Sequence, residues 1–358
     1  MSWQSIRGHD DVAERFRRMI AAGRLASTFL FVGMPGIGKR AFALKLAQAL
    51  LCDQRTEDVF DPCGRCPACV QVIAGSHPDV DLVSKPADKN LLPLDLLIGD
   101  KEHRMRAGLC YNISLKPYSG RRKIAVIDDA DYLNQEGANC LLKTLEEPPP
   151  KSILILIGTS EQRQLPTIRS RCQMIRFKPL ASRDVEDLLL STGACSDPAI
   201  ASQAAQLGQG SLERAVQWCD EAYLEFRATL FDALSRRDFE LQPLAKAVTS
   251  FAESAGKEAA EKRARMRDVL NIAADFYRQC ILTLSGTAFA GQEADEKLVR
   301  AVGAAQRWWT GDAETAAACL EICLDAQAHV DANAGLANLA EWWLDSLGET
   351  ARGTRRMN

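Results

Sequence analysis

Short apolar runs rich in β-branched residues alternate with segments of helical period between residues 28 and 178. Nearly continuous apolar runs are typical of strands that helices cover on both faces, and their alternation with helices indicates parallel βαβ units. The pattern therefore predicts an α/β fold with a doubly wound parallel sheet. The predicted strands are Thr28–Val32, Val80–Val83, Lys123–Asp128, Ser152–Gly158 and Met174–Phe177.

Helical periodicity replaces the strand pattern after Pro179. Three short segments predict a small helical lid, and Ser182 has the residue type and position of a helix N-cap. We therefore expect a first domain of residues 1–178 and a lid domain of residues 179–221. The predicted lid helices are Ser182–Leu190, Pro198–Leu207 and Ser211–Cys219.

Residues 222–350 have helical period throughout and predict an all-α C-terminal domain. Apolar stripes follow one face of Arg263–Leu284 and of Ala332–Leu347. The stripe residues are Met266, Val269, Leu270, Ala273, Phe276, Tyr277, Cys280 and Leu284, then Leu336, Leu339, Trp342 and Trp343. Periodicity does not distinguish a self-contained bundle from an oligomerisation collar. Residues 351–358 are interpreted as a polar tail, and residues 84–110 mix turn and helix signals.

The composition is that of a globular protein, with 47% hydrophobic and 25% charged residues among 358. The first residues lack an apolar segment behind a basic stub, and no stretch approaches the roughly 20 uninterrupted apolar residues of a membrane span. We therefore expect a cytoplasmic protein without a membrane partner. The net charge of −3 means that a nucleic-acid role would need local basic patches or a partner's help.

A glycine-rich sequence after the first predicted strand matches the phosphate-binding pattern G-x-x-x-x-G-K. Gly33, Gly36 and Gly38 would let backbone N–H groups surround phosphate oxygens, and Lys39 would neutralise the outer phosphates. The next position normally carries a hydroxyl that ligates Mg²⁺, which Arg40 cannot do. The loop therefore predicts a nucleotide site with weakened hydrolysis, in which occupancy by ATP and Mg²⁺ is left open. A glycine turn with an incidental lysine is the alternative.

Two carboxylates end the third predicted strand. Asp128 has the position from which a carboxylate orients Mg²⁺ through water. Asp129 stands where an active ATPase of this kind has glutamate to activate the attacking water, and its side chain is one methylene shorter. This second departure also predicts a weak or inactive ATPase. Alternatively, Asp129 only caps the following loop.

Four of the 12 cysteines cluster with the spacing C-x10-C-x2-C-x2-C, at Cys52, Cys63, Cys66 and Cys69. Two-residue spacings with Gly and Pro make the tight turns that bring thiolates to the tetrahedral corners that zinc needs. We therefore predict a closed structural Zn²⁺ site; a redox C-x-x-C is the alternative. The other cysteines are interpreted as small core residues, namely Cys110, Cys140, Cys172, Cys195, Cys219, Cys280, Cys319 and Cys323.

The order of these motifs resembles that of the bacterial DNA polymerase III clamp-loader subunits, which belong to the AAA+ family. The resemblance rests on the phosphate loop, the four-cysteine module after its helix, NCLLKTLEEPP at residues 139–149, and Ser-Arg-Cys at residues 170–172. It is strong over residues 3–178 and moderate over the lid. In the C-terminal domain it is limited to the shared helical character. Taken alone, the LLKTLEEPP segment predicts a core helix capped by Asn134 and stopped at Pro148.

The resemblance implies that Arg171 is an arginine finger that reaches the nucleotide of a neighbouring ATPase subunit. A surface ion pair is the alternative for this side chain. The resemblance also implies that Thr159 occupies a polar sensor position and that Glu213 replaces a sensing arginine of the active subunits. Together with Arg40 and Asp129, this departure favours a stator subunit over an ATP-hydrolysing tau/gamma-type subunit.

The implied partners are the tau/gamma ATPase and delta subunits, the sliding clamp, and primed DNA reached through the complex. Contacts to DNA would be mostly to phosphate and indifferent to sequence. The all-α domain would then join a pentameric collar. Two rival hypotheses remain: an active tau/gamma-type subunit, because Lys39 and Asp128 are retained, and a free-standing zinc-ribbon module that binds nucleic acid.

Overall fold

The computed structural model describes residue 3 and residues 6–86, 89–236, 240–286, 295–309 and 311–352. The chain divides into two compact units, Met1–Gln217 and Trp218–Asn358. The predicted tail lies outside the described residues from residue 353 onward. Residues 87 and 88, in the segment of mixed turn and helix signals, also lie outside them.

Five strands form one sheet in the first unit. They are β1 (Thr28–Val32), β2 (Val80–Val83), β3 (Lys123–Ile127), β4 (Ser152–Gly158) and β5 (Gln173–Arg176). All pairings are parallel, in the order β2-β3-β4-β1-β5, which confirms the predicted parallel sheet. Strand β3 ends one residue earlier than predicted because Asp129 turns the chain with a φ of 60°. Strand β5 begins and ends one residue earlier than predicted.

The central strands are apolar because both of their faces are covered. Every residue of β1, β3 and β4 is buried, whereas the edge strand β2 is half-buried along its length. Alternate residues of these strands, such as Leu30, Ile127 and Leu156, pack into one core cluster with Leu141 of a covering helix. The polar side chains of these strands, Thr28, Lys123 and Ser152, are confined to the first position of each strand, so polar chemistry at the carboxyl edge depends on the loops that follow the strands.

The described helices of the first unit cover this sheet and form the lid. They are α1 (Asp10–Ala21), α2 (Lys39–Leu51), α3 (Pro67–Ala74), α4 (Leu94–Ile98), α5 (Leu109–Ser114), α6 (Gln135–Glu146), α7 (Pro166–Arg169), α8 (Ser182–Ser191), α9 (Pro198–Leu207) and α10 (Leu212–Gln217). The segment of mixed signals thus contains α4 and the start of α5. Helix α9 has the predicted bounds, and α8 and α10 differ from prediction by one or two residues at their ends.

The structure confirms one of the two predicted helix N-caps and contradicts the other. Asn134 caps α6 as predicted, since its side-chain oxygen accepts a hydrogen bond of 2.7 Å from the Gly137 N–H. The Ser182 prediction was wrong: Ala181 occupies the N-cap position of α8, and no side chain caps this helix end. Ser182 is instead the first helical residue, one position too late for its hydroxyl to cap the turn.

The second unit is helical wherever the structure describes it. Its helices are α11 (Glu221–Leu234), α12 (Leu241–Glu253), α13 (Ala259–Leu284), α14 (Glu296–Ala305), α15 (Ala313–Asp331) and α16 (Leu336–Ala351). Most of the predicted stripe on α13 is buried, but Leu284 is 37% exposed and Trp342 on α16 is 38% exposed. Trp343 of the same stripe is buried as predicted, because one residue further along a helix lies about 100° around its axis. In the described residues, no helix is both long and apolar enough to span a membrane.

Replacing the observed cap residue tests the local account of α6. We expect Asn134→Ala to lower the free energy of unfolding of the first unit by about 1 kcal/mol, because the Gly137 N–H loses its acceptor. Urea unfolding followed by circular dichroism measures the change. Ser182→Ala is the matched control, and we expect it to change this free energy by less than about 0.5 kcal/mol. Equal losses in both variants would contradict the assignment.

Candidate functional site

The phosphate loop joins β1 to α2 at the carboxyl edge of the sheet. Gly36 and Gly38 have φ values of 71° and 93°, in the left-handed region that favours glycine. Gly38 is the N-cap residue of α2, and no side chain bonds to the first turn of that helix. Free N–H groups at a helix N-terminus bind anions, and the helix dipole favours negative charge there. The local sequence thus builds a cradle for phosphate.

The lid packs directly on this loop. The N–H of Leu212, the first residue of α10, donates a hydrogen bond of 2.9 Å to the Gly36 carbonyl. A Cβ atom built on Gly36 would lie 2.4 Å from the Ser211 Oγ and 2.4 Å from the Glu213 Cβ. Only glycine allows this approach, so a motif predicted for phosphate binding also supports the lid. No pattern in the sequence indicated this contact.

Lys39 is buried, at 7% exposure, and turns back onto the loop. Its Nζ donates hydrogen bonds of 2.6 Å to the carbonyls of Gly33 and Met34. Burial lowers the pKa of the Lys39 ammonium, and the charge of Asp128 is the largest influence in the opposite direction. The lysine is therefore positioned at the cradle, where it neutralises carbonyl dipoles of the loop.

Arg40 contacts the carboxylate that was predicted to orient Mg²⁺. One of its terminal nitrogens lies 3.6 Å from the Asp128 Oδ2, and the Asp128 side chain is 19% exposed. Burial and then the neighbouring Asp129 raise the pKa of Asp128, while Arg40 opposes that rise. A guanidinium thus stands beside the carboxylate where a metal would need open coordination positions. These residues do not fit Mg²⁺, which prefers oxygen ligands in near-octahedral geometry.

Asp129 does not cap the short 3₁₀ turn that follows it, since its side chain makes no capping bond there. Its Oδ2 instead accepts a hydrogen bond of 3.2 Å from the backbone N–H of Lys85, after β2. The capping alternative for Asp129 is therefore wrong. The carboxylate lines the cavity beside the loop, but one of its oxygens is turned to the backbone.

Thr159 follows β4 and binds an aspartate that sequence reasoning missed. Its backbone N–H and its hydroxyl donate hydrogen bonds of 2.8 Å and 2.5 Å to the Asp131 Oδ2. The other Asp131 oxygen accepts from the Gln164 amide. The signal in the sequence was the third acidic residue of the run after β3, whose pairing with Thr159 depends on neighbouring strands β3 and β4.

A cavity of about 560 Å³ opens beside the loop, a volume suited to a small ligand. Its polar wall includes Lys39, Arg40 and Glu213. The apolar wall includes Ile6, Ile157, Leu180, Leu188, Leu212 and Val216. His9, which sequence reasoning also missed, is buried and its Nε2 lies 2.6 Å from the Ile37 carbonyl. The segment before α1 therefore both lines the cavity and holds the loop.

The four clustered cysteines meet at one point between α2 and α3. Their sulfur atoms all lie within 4.8 Å of one another, with 3.9 Å between those of Cys52 and Cys66. Backbone N–H groups of Cys66 and Cys69 point at the sulfurs of Cys63 and Cys66, at 3.3 Å and 3.4 Å. Tetrahedral zinc with sulfur at about 2.3 Å requires sulfurs roughly 3.8 Å apart. This group could hold a metal ion, as predicted.

The remaining cysteines follow the core prediction only in part. Cys140, Cys172 and Cys219 are half-buried and the others are buried.

Arg171 lies between α7 and β5, and it is not among the residues that line the described cavity. Its side chain is 32% exposed and pairs with Glu146, at 2.7 Å from Nε and 2.5 Å from Nη2 to the same carboxylate oxygen. Its Nη1 also donates to the Thr167 carbonyl at 3.0 Å. Within this chain, Arg171 therefore makes the surface ion pair that was the alternative to an arginine finger.

A glycine-rich loop between a buried parallel strand and a helix, with acidic side chains at the same sheet edge, defines the class of P-loop nucleotide-binding folds. Residues 8–181 match the family model described as DNA polymerase III, delta subunit. Residues 8–181, slightly less than half of the chain, therefore form a domain of that family.

Similar proteins include both delta' and tau subunits of DNA polymerase III. The chain is 33% identical over 221 residues to the delta' subunit of Bacillus subtilis, covering 61% of this chain and 62% of that protein. It is 35% identical over 147 residues to the delta' subunit of Pseudomonas aeruginosa, covering 41% and 42%. It is 30% identical over 226 residues to the tau subunit of Escherichia coli, covering 62% and 33%. The chain thus spans less than two thirds of each of these relatives.

Proposed function

We propose that this protein is a delta-prime-like subunit of the bacterial DNA polymerase III clamp loader. In this role it is an AAA+-type stator that helps a neighbouring subunit hydrolyse ATP and scarcely hydrolyses ATP itself. The observation that carries the proposal is the contact between Arg40 and Asp128, because it places a side-chain cation where a hydrolysing subunit needs Mg²⁺. The match of residues 8–181 to the delta-subunit family supports membership of the DNA polymerase III clamp loader, the assembly in which a neighbouring ATPase subunit would be present.

Two further features support weak hydrolysis in the chain's own pocket. Asp129 is one methylene shorter than the glutamate that activates water, and one of its oxygens accepts from Lys85. Glu213 brings negative charge to the cavity wall where the resemblance implies a sensing arginine. Phosphoryl transfer depends on an activated water and on cations that stabilise charge on the transferred group. Asp129 and Glu213 therefore both disfavour ATP hydrolysis in this pocket.

Arg171 is the residue that we propose acts in trans. Its guanidinium is ordered by Glu146 and a backbone carbonyl, yet about a third of the side chain remains exposed. A planar, permanently charged guanidinium can exchange a carboxylate for phosphate oxygens of a neighbour's nucleotide. The proposed neighbours are the tau/gamma ATPase and delta subunits, the helical second unit joins the collar, and the assembled machine places a sliding clamp on primed DNA.

Comparing two arginines of the same surface tests this role. We expect Arg171→Ala to lower ATP hydrolysis at one site of the reconstituted clamp loader by about 10³-fold, because charge on the transferred phosphoryl group loses its partner. The assay combines each variant with tau/gamma and delta subunits of the same organism, with clamp and primed DNA. Arg169→Ala is the matched control, since Arg169 is 38% exposed and pairs with Glu161 at 2.8 Å. Unchanged hydrolysis by the Arg171 variant, or equal losses in both, would refute the role.

The alternative function is that of an ATP-hydrolysing tau/gamma-type subunit, favoured by the retained Lys39 and by the 30% identity to a tau subunit. A turnover assay on the isolated chain discriminates between the two. We expect phosphate release at the background rate, because Arg40 replaces the metal-binding hydroxyl. Robust hydrolysis that persists in the Arg171→Ala variant would favour the alternative.

We further propose that the four-cysteine cluster binds one structural Zn²⁺. All four coordination positions would be filled by Cys52, Cys63, Cys66 and Cys69, which leaves none for a substrate. The ion would join the end of α2 to the start of α3, whose N-cap residue is Cys66. Its contribution is therefore to the stability of this module.

Elemental analysis of the purified chain tests the metal proposal. We expect about one Zn²⁺ per chain, lost in Cys66→Ser together with a lower unfolding temperature, because metal binding contributes folding free energy. Cys140→Ser is the control, since Cys140 is a half-buried cysteine of helix α6 outside the cluster, and it should keep the metal. Retention of stoichiometric zinc by the Cys66 variant, or its absence from the unaltered chain, would contradict the proposal.

A further inference from the structure

We propose that the cavity beside the phosphate loop binds a nucleoside polyphosphate without Mg²⁺, and that the Arg40 guanidinium takes the place of the metal. The inference rests on the proposed function in one respect: in both, the pocket binds nucleotide but does not hydrolyse it. It concerns what the pocket binds, and it holds or fails independently of the role of Arg171.

The first argument is that each carboxylate at this sheet edge already has a partner in the protein. Asp128 faces Arg40 at 3.6 Å, and Asp129 accepts from the Lys85 N–H. Asp131 accepts from Thr159 through one oxygen and from Gln164 through the other. Mg²⁺ is usually held by one or two free carboxylates together with substrate phosphates and water. A magnesium ion would have to displace the Arg40 guanidinium to gain Asp128, the carboxylate that directly follows β3.

The second argument is that the phosphate-binding half of the site is intact. Gly36 and Gly38 have left-handed backbone conformations, and α2 is 13 residues long with an uncapped N-terminus. Lys39 needs only to exchange the Gly33 and Met34 carbonyls for phosphate oxygens. Backbone N–H groups and the lysine neutralise phosphate without any metal. The elements that hold phosphate are therefore separable here from those that hold Mg²⁺.

The third argument is the placement of Arg40 in the first turn of α2. Its side chain is 51% exposed, so the guanidinium can move between Asp128 and a phosphate. Lys39 is influenced by the carboxylates of Asp128, Asp131, Glu213 and Asp129, and Asp128 also faces Arg40. This acidic surrounding gives the guanidinium a resting partner while the pocket is free of ligand. Because these carboxylates repel phosphate, a bound phosphate chain must contact both Lys39 and Arg40.

Magnesium in solution should then leave the affinity for nucleotide unchanged or lower it. Mg²⁺ forms complexes with free nucleotide, and the complexed form would bring a second cation to a place that Arg40 already occupies. In an ordinary P-loop the same ion strengthens binding, because it bridges the outer phosphates and the hydroxyl after the lysine. Whether Mg²⁺ raises the affinity for nucleotide therefore distinguishes an ordinary P-loop from the site proposed here.

Calorimetric titration of the full-length chain with ADP and with ATP tests the inference, each in EDTA and in excess Mg²⁺. We expect affinity in EDTA to equal or exceed that in Mg²⁺ for both nucleotides. Arg40→Ser restores a hydroxyl at the magnesium position and frees Asp128, so we expect it to bind at least about tenfold more tightly in Mg²⁺ than in EDTA. Lys39→Ala should lose binding in both conditions.

Arg169→Ser is the matched control for a surface arginine outside the cavity, and it should behave as the unaltered chain does. Circular dichroism of each variant checks that it is folded. Magnesium-strengthened binding by the unaltered chain, no binding in either condition, or an Arg40→Ser variant indifferent to Mg²⁺ would each overturn the inference. None of these results alters the expected effect of Arg171→Ala, so failure here is distinguishable from failure of the stator role.

Discussion

The contact between Arg40 and Asp128 is the interaction on which the functional interpretation depends. A buried carboxylate carries a desolvation cost that a nearby cation offsets, and here that cation belongs to the chain itself. A hydrolysing P-loop leaves this place to a metal whose positions are shared with substrate. A side chain anchored to the first turn of a helix cannot coordinate the outer phosphates and water in the same way. In the proposed function, one residue thus separates the binding of a phosphate from its transfer.

The loop and the lid form one structural unit through Gly36. The Leu212 N–H bonds to its carbonyl, and Ser211 and Glu213 leave no space for a Cβ atom. The segment before α1 adds a second support, since His9 contacts the Ile37 carbonyl. The loop is therefore held from two sides by elements that also line the cavity. Residues of all three elements line the cavity.

Much of the fold could be predicted because it follows local patterns. Fully buried strands are continuously apolar, and the Asn134 cap and the four-cysteine spacing involve near neighbours in the sequence. The failures involve a choice between adjacent residues or a contact across the fold. Ser182 was assigned the N-cap position that Ala181 occupies, and Trp342 is more exposed than Trp343 of the same predicted stripe, since a shift by one residue moves a side chain about 100° around a helix. The partners of Arg40, Asp131 and His9 depend on strand order, which no local pattern specifies.

The pairing of Arg171 with Glu146 has a consequence for selectivity. A guanidinium that already has a carboxylate partner and a backbone acceptor has lost much of its rotamer freedom, so ordering it again costs little. If Arg171 acts on a neighbour's nucleotide, as proposed, it must exchange this partner for phosphate oxygens, which accept stronger charge-assisted hydrogen bonds than chloride does. The glutamate is therefore a built-in competitor that discriminates among anions, because a polyphosphate would displace it more readily than a monovalent ion.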